Sequence, residues 1–355
     1  DAMVLLSLHA TPGDQQNTLR SLAKYRRADK LLGTYVEGLP LLGDGRLHVN
    51  WKVHGAVSGR FSSSPNAQNL NSVVQRIFMS GPGADFVGVD LSQAEVRGIA
   101  YQSGDSDLLL AYEKGLNVHT VNATLLFQLR NPGEDTNAAT EAYLDIACPA
   151  TIGVSYQSMP VAPASRWKRI RRLGKNFVFA ANYGALPETI FDTLRAERDP
   201  DTDEPLFPDL DLGLIEALKH TWETLHPSIP KWWKSITAQT KALGHYRCPI
   251  TGRIRWFRGG FKQNEMINYP IQTMVASHMD RMIEIGDYMY QVAGDEAIIV
   301  AQVHDAIVSE VHSKFTQAVK DIYAYVLNQP FKFGDYPNAV LPADKPKVGK
   351  YLNEV

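Results

Sequence analysis

The chain has 355 residues, 44% of them apolar, and a net charge of −2 at pH 7. This length suits two or three lobes rather than one core. Its longest apolar runs are strand-sized, far short of the ~20 residues that a membrane span needs. Two cysteines, Cys148 and Cys248, lie too far apart for a zinc pattern, which favours reduced thiols. No basic, apolar signal segment opens the sequence, so we expect a soluble, intracellular protein that does not bind membranes.

The first half of the chain predicts one strand between helices. A helix is predicted over residues 17–36, and Pro40 and Gly43 end it. Residues 84–91 read as a buried strand that ends in the carboxylate Asp90. A helix is predicted over residues 92–112, with Ser92 as its N-cap and Glu95 in the capping-box position.

The second half predicts a helical region followed by a hairpin. Residues 131–165 are rich in Pro, Gly, Ala and Ser and read as an insertion. The remaining predicted elements are helices 166–195, 213–243 and 263–291, an acidic loop 198–211 and a tight hairpin 297–311 around His304-Asp305. A sheet interrupted by a helical lobe follows from this order.

Charge is sorted along the chain although its net value is small. Residues 166–175 carry six basic side chains and no acid, and residues 246–262 carry five and no acid. Residues 197–211 hold seven acids and one Arg. Such sorting can produce a basic groove on a neutral protein.

Asp90 and Asp305 are candidate metal ligands. A carboxylate at the end of a buried strand is costly unless a cation or a donor pairs with it. Two such carboxylates on neighbouring strands could bridge two Mg²⁺ ions ~3.5–4 Å apart. The alternative is that each Asp caps a turn, since turns favour Asp.

A stripe of four side chains follows one face of the predicted helix 166–195. Its members, spaced four residues apart, are Arg171, Lys175, Phe179 and Tyr183. Four residues turn a helix by about 400°, so the four lie along one slowly drifting line. Cations suit a triphosphate and aromatic rings suit a sugar and a base. A solvated basic face above an apolar core is the alternative for the cations.

The motifs together resemble those of the family A DNA polymerases. Arg171-x₃-Lys175-x₃-Phe179-x₃-Tyr183-Gly184 resembles the fingers-helix motif of that family, and Asp90-Leu-Ser-Gln-Ala-Glu95-Val-Arg97 resembles its first palm motif. Gln302-Val-His304-Asp305 resembles its third palm motif. Further similar segments, in the order of the family, are Ser58-Gly-Arg60-Phe, Asn66-Ala-Gln68-Asn69, Val118-His119-Thr120 and Asn268-Tyr-Pro-Ile-Gln272.

The resemblance implies an α+β fold, the polymerase right hand, and an activity. An antiparallel-sheet palm would hold helical fingers and a short or incomplete helical thumb. The implied boundaries are 1–50 for the thumb remnant, 51–115 for the first part of the palm, 116–244 for the fingers and 245–355 for the second part of the palm. The enzyme would be a DNA-directed DNA polymerase that adds deoxynucleotides to a primer 3′-hydroxyl and releases pyrophosphate.

The resemblance also implies roles for individual residues. Asp90 and Asp305, with the backbone carbonyl of Leu91, would bind two Mg²⁺ ions, for which Mn²⁺ is an expected substitute. Glu95 would exclude the ribose 2′-hydroxyl, and Lys175 would be the general acid for pyrophosphate. The other implied nucleotide-binding residues are His119, Arg171, Phe179 and Tyr183. The implied primer-template contacts are Arg60, Asn69, Asn268, Gln272 and His304.

Primer-template DNA and deoxynucleoside triphosphates are the implied partners. An N-terminal 3′–5′ exonuclease domain of the same protein, or an accessory factor, is a further partner that we expect. The implied location is the cytoplasm or nucleoid, or the host cytoplasm for a phage protein. The insertion at 131–165 reads either as a passive surface segment or as a contact to DNA or an accessory protein.

Several positions depart from the family pattern. Leu91 stands where the family usually has Tyr, and Ala306 where it usually has Glu. Because both carboxylates, Asp90 and Asp305, are retained, we expect activity, with a different metal or proton environment around Ala306. Val178 and Ala180 replace small or polar residues on the fingers helix.

Three rival functions are weighed against these residues. Glu95 and Phe179 argue against a single-subunit RNA polymerase. Retention of Asp90 and Asp305 argues against a catalytically dead, polymerase-like accessory subunit. An unrelated two-metal nuclease would have no use for the stripe.

Overall fold

The structure is a computed structural model that describes residues 14–38, 43–70, 72–119, 161–197, 205–207, 210–259 and 261–355. The chain divides into two compact units. Unit 1 comprises Asp1–Ser92, His278–Gln329 and Pro342–Val355, and unit 2 comprises Gln93–Ser277 and Pro330–Leu341. The division into thumb, palm and fingers stays a prediction.

A four-stranded antiparallel sheet forms the centre of unit 1. It is built from strands β3 (Ala84–Asp90), β6 (Ala297–Val303), β7 (Ala306–His312) and β10 (Lys347–Gly349), in the order β10-β3-β7-β6. The central strand β3 is buried over most of its length and exposed only at Asp90. Burial of residues on both faces of β3 indicates that the sheet is covered on both sides, whereas the strand end at Asp90 is open to solvent.

Helices and the chain terminus cover this sheet. Helix α10 (Met282–Ala293) packs on β6, and α11 (Thr316–Leu327) packs on β3 and β7. Tyr323 of α11 is fully buried, and its hydroxyl shares a 2.5 Å hydrogen bond with Ser309 of β7. The C-terminal Val355 lies so close to Gly88 that a Cβ there would come within 2.7 Å of the valine side chain. Gly88 is therefore required by close packing.

Several further elements of unit 1 precede the sheet in the chain. They are helix α1 (Asp14–Leu31) with a π-helical turn (Leu32–Val36), the two-stranded ribbon β1 (Asn50–Lys52) and β2 (Ser62–Ser64), a 3-10 turn (Ala67–Asn69) and the short helix α2 (Ser72–Gln75).

Unit 2 is mainly helical. Its helices are α3 (Ala94–Ser103), α4 (Ser106–Glu113), α5 (Val161–Asn182), α6 (Pro187–Arg195), α7 (Leu212–Leu225), α8 (Ser228–Leu243) and α9 (Gln263–Met279), the last of which ends at the border with unit 1. Their apolar faces share one core, in which Ile99, Leu173, Ile190, Ile215 and Ile229 are almost fully buried. Two antiparallel ribbons complete the unit, β4 (His245–Arg247) with β5 (Ile254–Trp256), and β8 (Phe331–Phe333) with β9 (Tyr336–Ala339).

The strand 84–91 and the hairpin 297–311 are confirmed, but the predicted long helices are wrong in their continuity. The single helix predicted over residues 92–112 is divided into α3 and α4, because Gly104 takes a left-handed conformation, with φ = +65°, directly after Ser103. The prediction 166–195 ends early because Gly184 has φ = +71°. The prediction 213–243 divides at His226-Pro227. Local turn residues therefore outweigh helical periodicity at these places.

Among the described helices, none is long and apolar enough to cross a bilayer.

Candidate active site

Asp90 and Asp305 lie next to each other at one end of the sheet in unit 1. Asp90 ends β3 and faces Ala306 across the ladder, while Asp305 occupies the turn between β6 and β7. The backbone N–H of Leu91 donates to the Asp305 carbonyl at 3.1 Å. On the other side of β3, the Asp344 N–H donates to the Asp90 carbonyl at 2.8 Å. Sheet register thus brings together two carboxylates that are 215 positions apart in the chain.

A strained residue begins the turn that carries Asp305. His304 has φ = +57°, a region that favours glycine, and it is exposed. A non-glycine residue in such a conformation is typical of a functional position, because the surrounding structure must stabilise it. Since the residue just before Asp305 needs this support, the contacts of the turn decide where the carboxylate lies.

Two glutamines hold this turn. The Gln302 side chain is buried and donates from Nε2 to the His304 carbonyl at 2.5 Å. Gln68 Nε2 in turn donates to the Gln302 carbonyl at 3.0 Å and lies 3.2 Å from the Gln302 Oε1. Both glutamines lie within motifs that resemble those of the polymerases, but the sequence predicts no role for either. A polar side chain in the middle of a β-rich run is the signal that could have found Gln302.

The carboxylate pair fits magnesium chemistry. Among the described residues, no three His, Cys, Asp or Glu side chains cluster as a self-sufficient metal site. Mg²⁺ does not need such a cage, since it usually binds one or two carboxylates together with substrate phosphates and waters. Asp90 and Asp305, with the Leu91 carbonyl as a backbone oxygen, are a donor set of that kind. Asp90 is exposed at the strand end, which suits a site that opens to a substrate.

The predicted stripe lies on the exposed side of α5 in unit 2. Lys175 and Phe179 are exposed, and Tyr183 is half-buried just after the end of the helix. The opposite side of α5 enters the core through Leu173, Phe177, Val178 and Ala181. The rings of Phe179 and Tyr183 meet edge to face with centroids 5.3 Å apart. The Arg171 side chain lies outside the described residues, although its backbone belongs to α5.

Glu95 contacts the last residue of the stripe. The Tyr183 hydroxyl donates to Glu95 Oε2 at 2.5 Å, within unit 2. The capping box predicted from Ser92 to Glu95 is wrong, because α3 begins at Ala94 after Gln93, which has φ = +52° and ψ = +38°. Glu95 therefore lies only two residues past the N-cap, where a capping-box Glu would lie three past it.

The other predicted residues are divided between the two units. In unit 1, Arg60 is half-buried, and the Asn69 carbonyl accepts a hydrogen bond from the Tyr35 hydroxyl at 3.0 Å. In unit 2, His119 is buried, and Asn268 and Gln272 lie four residues apart on α9, both half-buried. Of the predicted insertion, residues 131–160 lie outside the described residues, and residues 161–165 open α5.

A buried carboxylate in unit 2, Asp105, has a structural role. Asp105 caps α4 by accepting from the Leu108 N–H at 2.9 Å, and it also accepts from Ser228 Oγ at 2.5 Å and from His226 Nδ1 at 3.0 Å. Burial raises the pKa of Asp105, but the hydrogen bonds from His226, Ser228 and Leu108 outweigh it and leave the pKa below its usual value. The group ties α4 to the start of α8.

Residues 1–139 match the sequence profile of DNA polymerase family A. The DNA polymerase I of Chloroflexus aurantiacus is 27% identical over 296 residues, which are 81% of this chain and 27% of that protein. The DNA polymerase I of Rhizobium leguminosarum is 24% identical over 93% of this chain and 29% of its own length. The thermostable DNA polymerase I of Thermus thermophilus is 36% identical over 32% of this chain and 15% of its own length.

The chain is thus similar to DNA polymerase family A in its first 139 residues and to DNA polymerase I proteins over most of its length. Its structure is similar to the POL domain of Pol1 from M. smegmatis in a complex with DNA primer-template and dNTP, with a TM-score of 0.69. That match has 19% identity and covers 95% of this chain and 53% of the other, so it establishes the α+β polymerase fold. The chain spans less than a third of the length of the three relatives named above.

Proposed function

We propose that this chain is a template-directed DNA polymerase, which adds deoxynucleotides to a primer 3′-hydroxyl by two-metal-ion catalysis and releases pyrophosphate. The observation that carries the proposal is the pairing of Asp90 with Asp305 at the end of β3, joined by the hydrogen bond from the Leu91 N–H to the Asp305 carbonyl. The match of residues 1–139 to DNA polymerase family A and the names of the DNA polymerase I relatives support it.

Metal chemistry would be supplied at the carboxylate pair. Bound Mg²⁺ ions, or Mn²⁺ in their place, would activate the attacking hydroxyl and stabilise the leaving phosphate. Asp90 and Asp305 would hold them, with the Leu91 carbonyl as a further ligand. Because Ala306 faces Asp90 where the family usually has Glu, the chain would work with these two carboxylates.

The exposed side of α5 would bind the nucleotide. Lys175 is exposed and positively charged, so it can pair with a triphosphate and donate a proton to the departing pyrophosphate. Arg171, one turn earlier, would bind the same phosphates through its fork of donors. Phe179 would pack on the sugar. His119 would complete the phosphate contacts.

Glu95 and Tyr183 would select deoxyribose. A carboxylate fixed by a 2.5 Å hydrogen bond cannot move aside freely, so it can exclude a 2′-hydroxyl by its volume. Arg60, Asn69, Asn268, Gln272 and His304 would contact primer-template DNA. Donors that read the minor groove suit an enzyme that must accept every correct base pair, because acceptors there are nearly alike for all pairs. An N-terminal exonuclease domain or an accessory factor stays a prediction.

Primer extension tests this function directly. The purified chain, a labelled primer on a longer template and Mg²⁺ should give full-length product with four deoxynucleotides and far less with four ribonucleotides. Template dependence is checked by omitting one deoxynucleotide, which should stop the product at the first position that needs it. Equal synthesis from ribonucleotides would favour an RNA polymerase, and shortening of the primer alone would favour a nuclease.

A further inference from the structure

The ribbon of β4 and β5 has two different faces. On the inner face, Tyr246 and Arg255 pack against α9. The Arg255 guanidinium bonds the Glu265 carboxylate at 3.0 Å and lies 5.2 Å from the centre of the Tyr269 ring. These contacts anchor the ribbon on α9 and show that Tyr246 and Arg255 form its inner face, since side chains alternate between the two faces of a strand. The residues in between therefore face outward.

An exposed tryptophan occupies the outer face. Trp256 is 52% exposed and lies directly opposite His245 in the ladder, with ring centroids 5.0 Å apart. The Arg258 guanidinium lies 4.7 Å from the centre of the indole ring. Arg247 and Ile254, the neighbouring cross-strand pair on the same face, are both exposed. A large aromatic surface therefore lies against one guanidinium, has a second cation on the same face of the ribbon, and is open to solvent.

The charge of this surface is of one sign. Between Lys241 and Lys262 the chain contains six basic residues and no acidic one. Of these, Arg255 is paired with Glu265 on the inner face, whereas Arg258 lies over the Trp256 ring and Arg247 is exposed on the same face as that ring. Such a surface is complementary to a polyanion with flat, apolar groups. Nucleic acid has both features, since its phosphates are anionic and its bases have π-faces.

We propose that the outer face of the β4–β5 ribbon is a binding site for single-stranded nucleic acid. One unpaired base stacks on Trp256, and Arg247 and Arg258 neutralise the flanking phosphates. Duplex is a poorer ligand for this face because its bases are already stacked on one another. His245 and Arg258 keep the indole ring in place, so little conformational entropy is lost when a base stacks on it.

Binding of a fluorescein-labelled oligo-deoxythymidylate to the full chain, followed by anisotropy, tests the proposal. The buffer contains EDTA and no nucleotide, so the result is independent of polymerase activity, which wild-type primer extension measures separately. Trp256→Ala should raise the dissociation constant roughly 5- to 150-fold, and Trp256→Phe, which keeps a ring, should stay within about threefold of wild type. Tyr290→Ala is the matched control, since Tyr290 is 66% exposed on α10 in unit 1.

Charge substitutions provide a second readout that does not depend on the tryptophan variant folding well. Arg247→Ala and Arg258→Ala should each reduce the slope of log affinity against log salt by about 0.7. Blunt duplex should lose little affinity with Trp256→Ala. The proposal is overturned if Trp256→Ala binds the oligonucleotide like wild type, or if it weakens duplex to the same degree. Polyglutamate that binds wild type equally well and also depends on Trp256 would assign the surface to an acidic protein segment instead.

Discussion

The Tyr183 hydroxyl donates a 2.5 Å hydrogen bond to the carboxylate of Glu95. This contact joins the end of the α5 stripe to the first turn of α3, which follows directly after the strand that carries Asp90. It gives Glu95 a fixed position, as its proposed role in excluding a 2′-hydroxyl requires.

Glu95→Ala is expected to admit ribonucleotides. Removal of the carboxylate opens the space that a 2′-hydroxyl needs, so ribonucleotide incorporation should rise by orders of magnitude relative to deoxynucleotides. Single-nucleotide insertion kinetics with matched deoxy- and ribonucleotides give the ratio. Tyr183→Phe removes only the hydrogen bond and should produce a smaller change in the same direction. A ratio that stays at the wild-type value in Glu95→Ala would leave Glu95 with a structural role in α3 alone.

Phe179→Tyr is expected to improve the use of dideoxynucleotides. A normal nucleotide can supply its own 3′-hydroxyl for local hydrogen bonding, and a dideoxynucleotide cannot. The added phenolic hydroxyl replaces that group, and one hydrogen bond of ~1–3 kcal/mol changes selectivity roughly 5- to 150-fold. Phe179 is 46% exposed, so the hydroxyl can be accommodated without disturbing the core. Chain-termination ratios on one template measure the change, and equal ratios would remove Phe179 from the sugar site.

Asp90→Ala and Asp305→Ala are each expected to abolish primer extension and to leave primer-template binding largely intact. A metal-binding carboxylate acts mainly on the transition state, so its loss should lower the turnover number rather than affinity for DNA. Asp344→Ala is a matched control, because Asp344 lies beside Asp90 and contacts it through its backbone N–H. Near-normal turnover in either of the first two variants would exclude the two-metal assignment.

Gln302→Ala is expected to impair catalysis by releasing the turn that carries Asp305. The side chain is 3% exposed and holds the His304 carbonyl, so its loss leaves a residue with φ = +57° less well supported. The turnover number should fall about tenfold, equivalent to ~1.4 kcal/mol, with little change in the nucleotide KM. Ile298→Ala, on an exposed position of the same strand, should be close to wild type. A proportional loss of folded protein with unchanged turnover would make Gln302 purely structural.

Asp105→Asn is expected to lower the free energy of unfolding by ~1–3 kcal/mol at pH 7, because a buried charged acceptor with three donors is replaced. The pKa of Asp105 is lowered on folding, so its contribution is present above the usual value of 3.8 and is lost as the pH falls further. The free energies of unfolding of wild type and variant, measured by urea denaturation at a series of pH values from 7 downward, should therefore approach each other as the pH falls below 3.8. Asp107→Asn, at an exposed position two residues further along the chain, is the control. If the difference in unfolding free energy between wild type and variant stays constant over the whole pH range, protonation of Asp105 is not coupled to folding.

Part of the candidate site follows from sequence because its geometry is local. Residues four apart on a helix share a face, so the stripe of Lys175 and Phe179 could be predicted, and the structure exposes that side of α5. The breaks at Gly104 and Gly184 were missed because helical periodicity continues across them while the backbone does not. The outer face of the β4–β5 ribbon was visible only as a basic run, since the position of Trp256 depends on which face packs against α9.

The residue types along the chain predict the resemblance to family A DNA polymerases, the strand and hairpin that carry the two carboxylates, and the spacing of the stripe. All of these depend on residue types and on interactions over a few positions. Only the tertiary structure decided that Asp90 lies beside Asp305, that Gln68 supports the turn through Gln302, and that Glu95 pairs with Tyr183. The reason is physical: β-strand register and packing between helices are set by the whole core, and no local pattern specifies which distant residues meet.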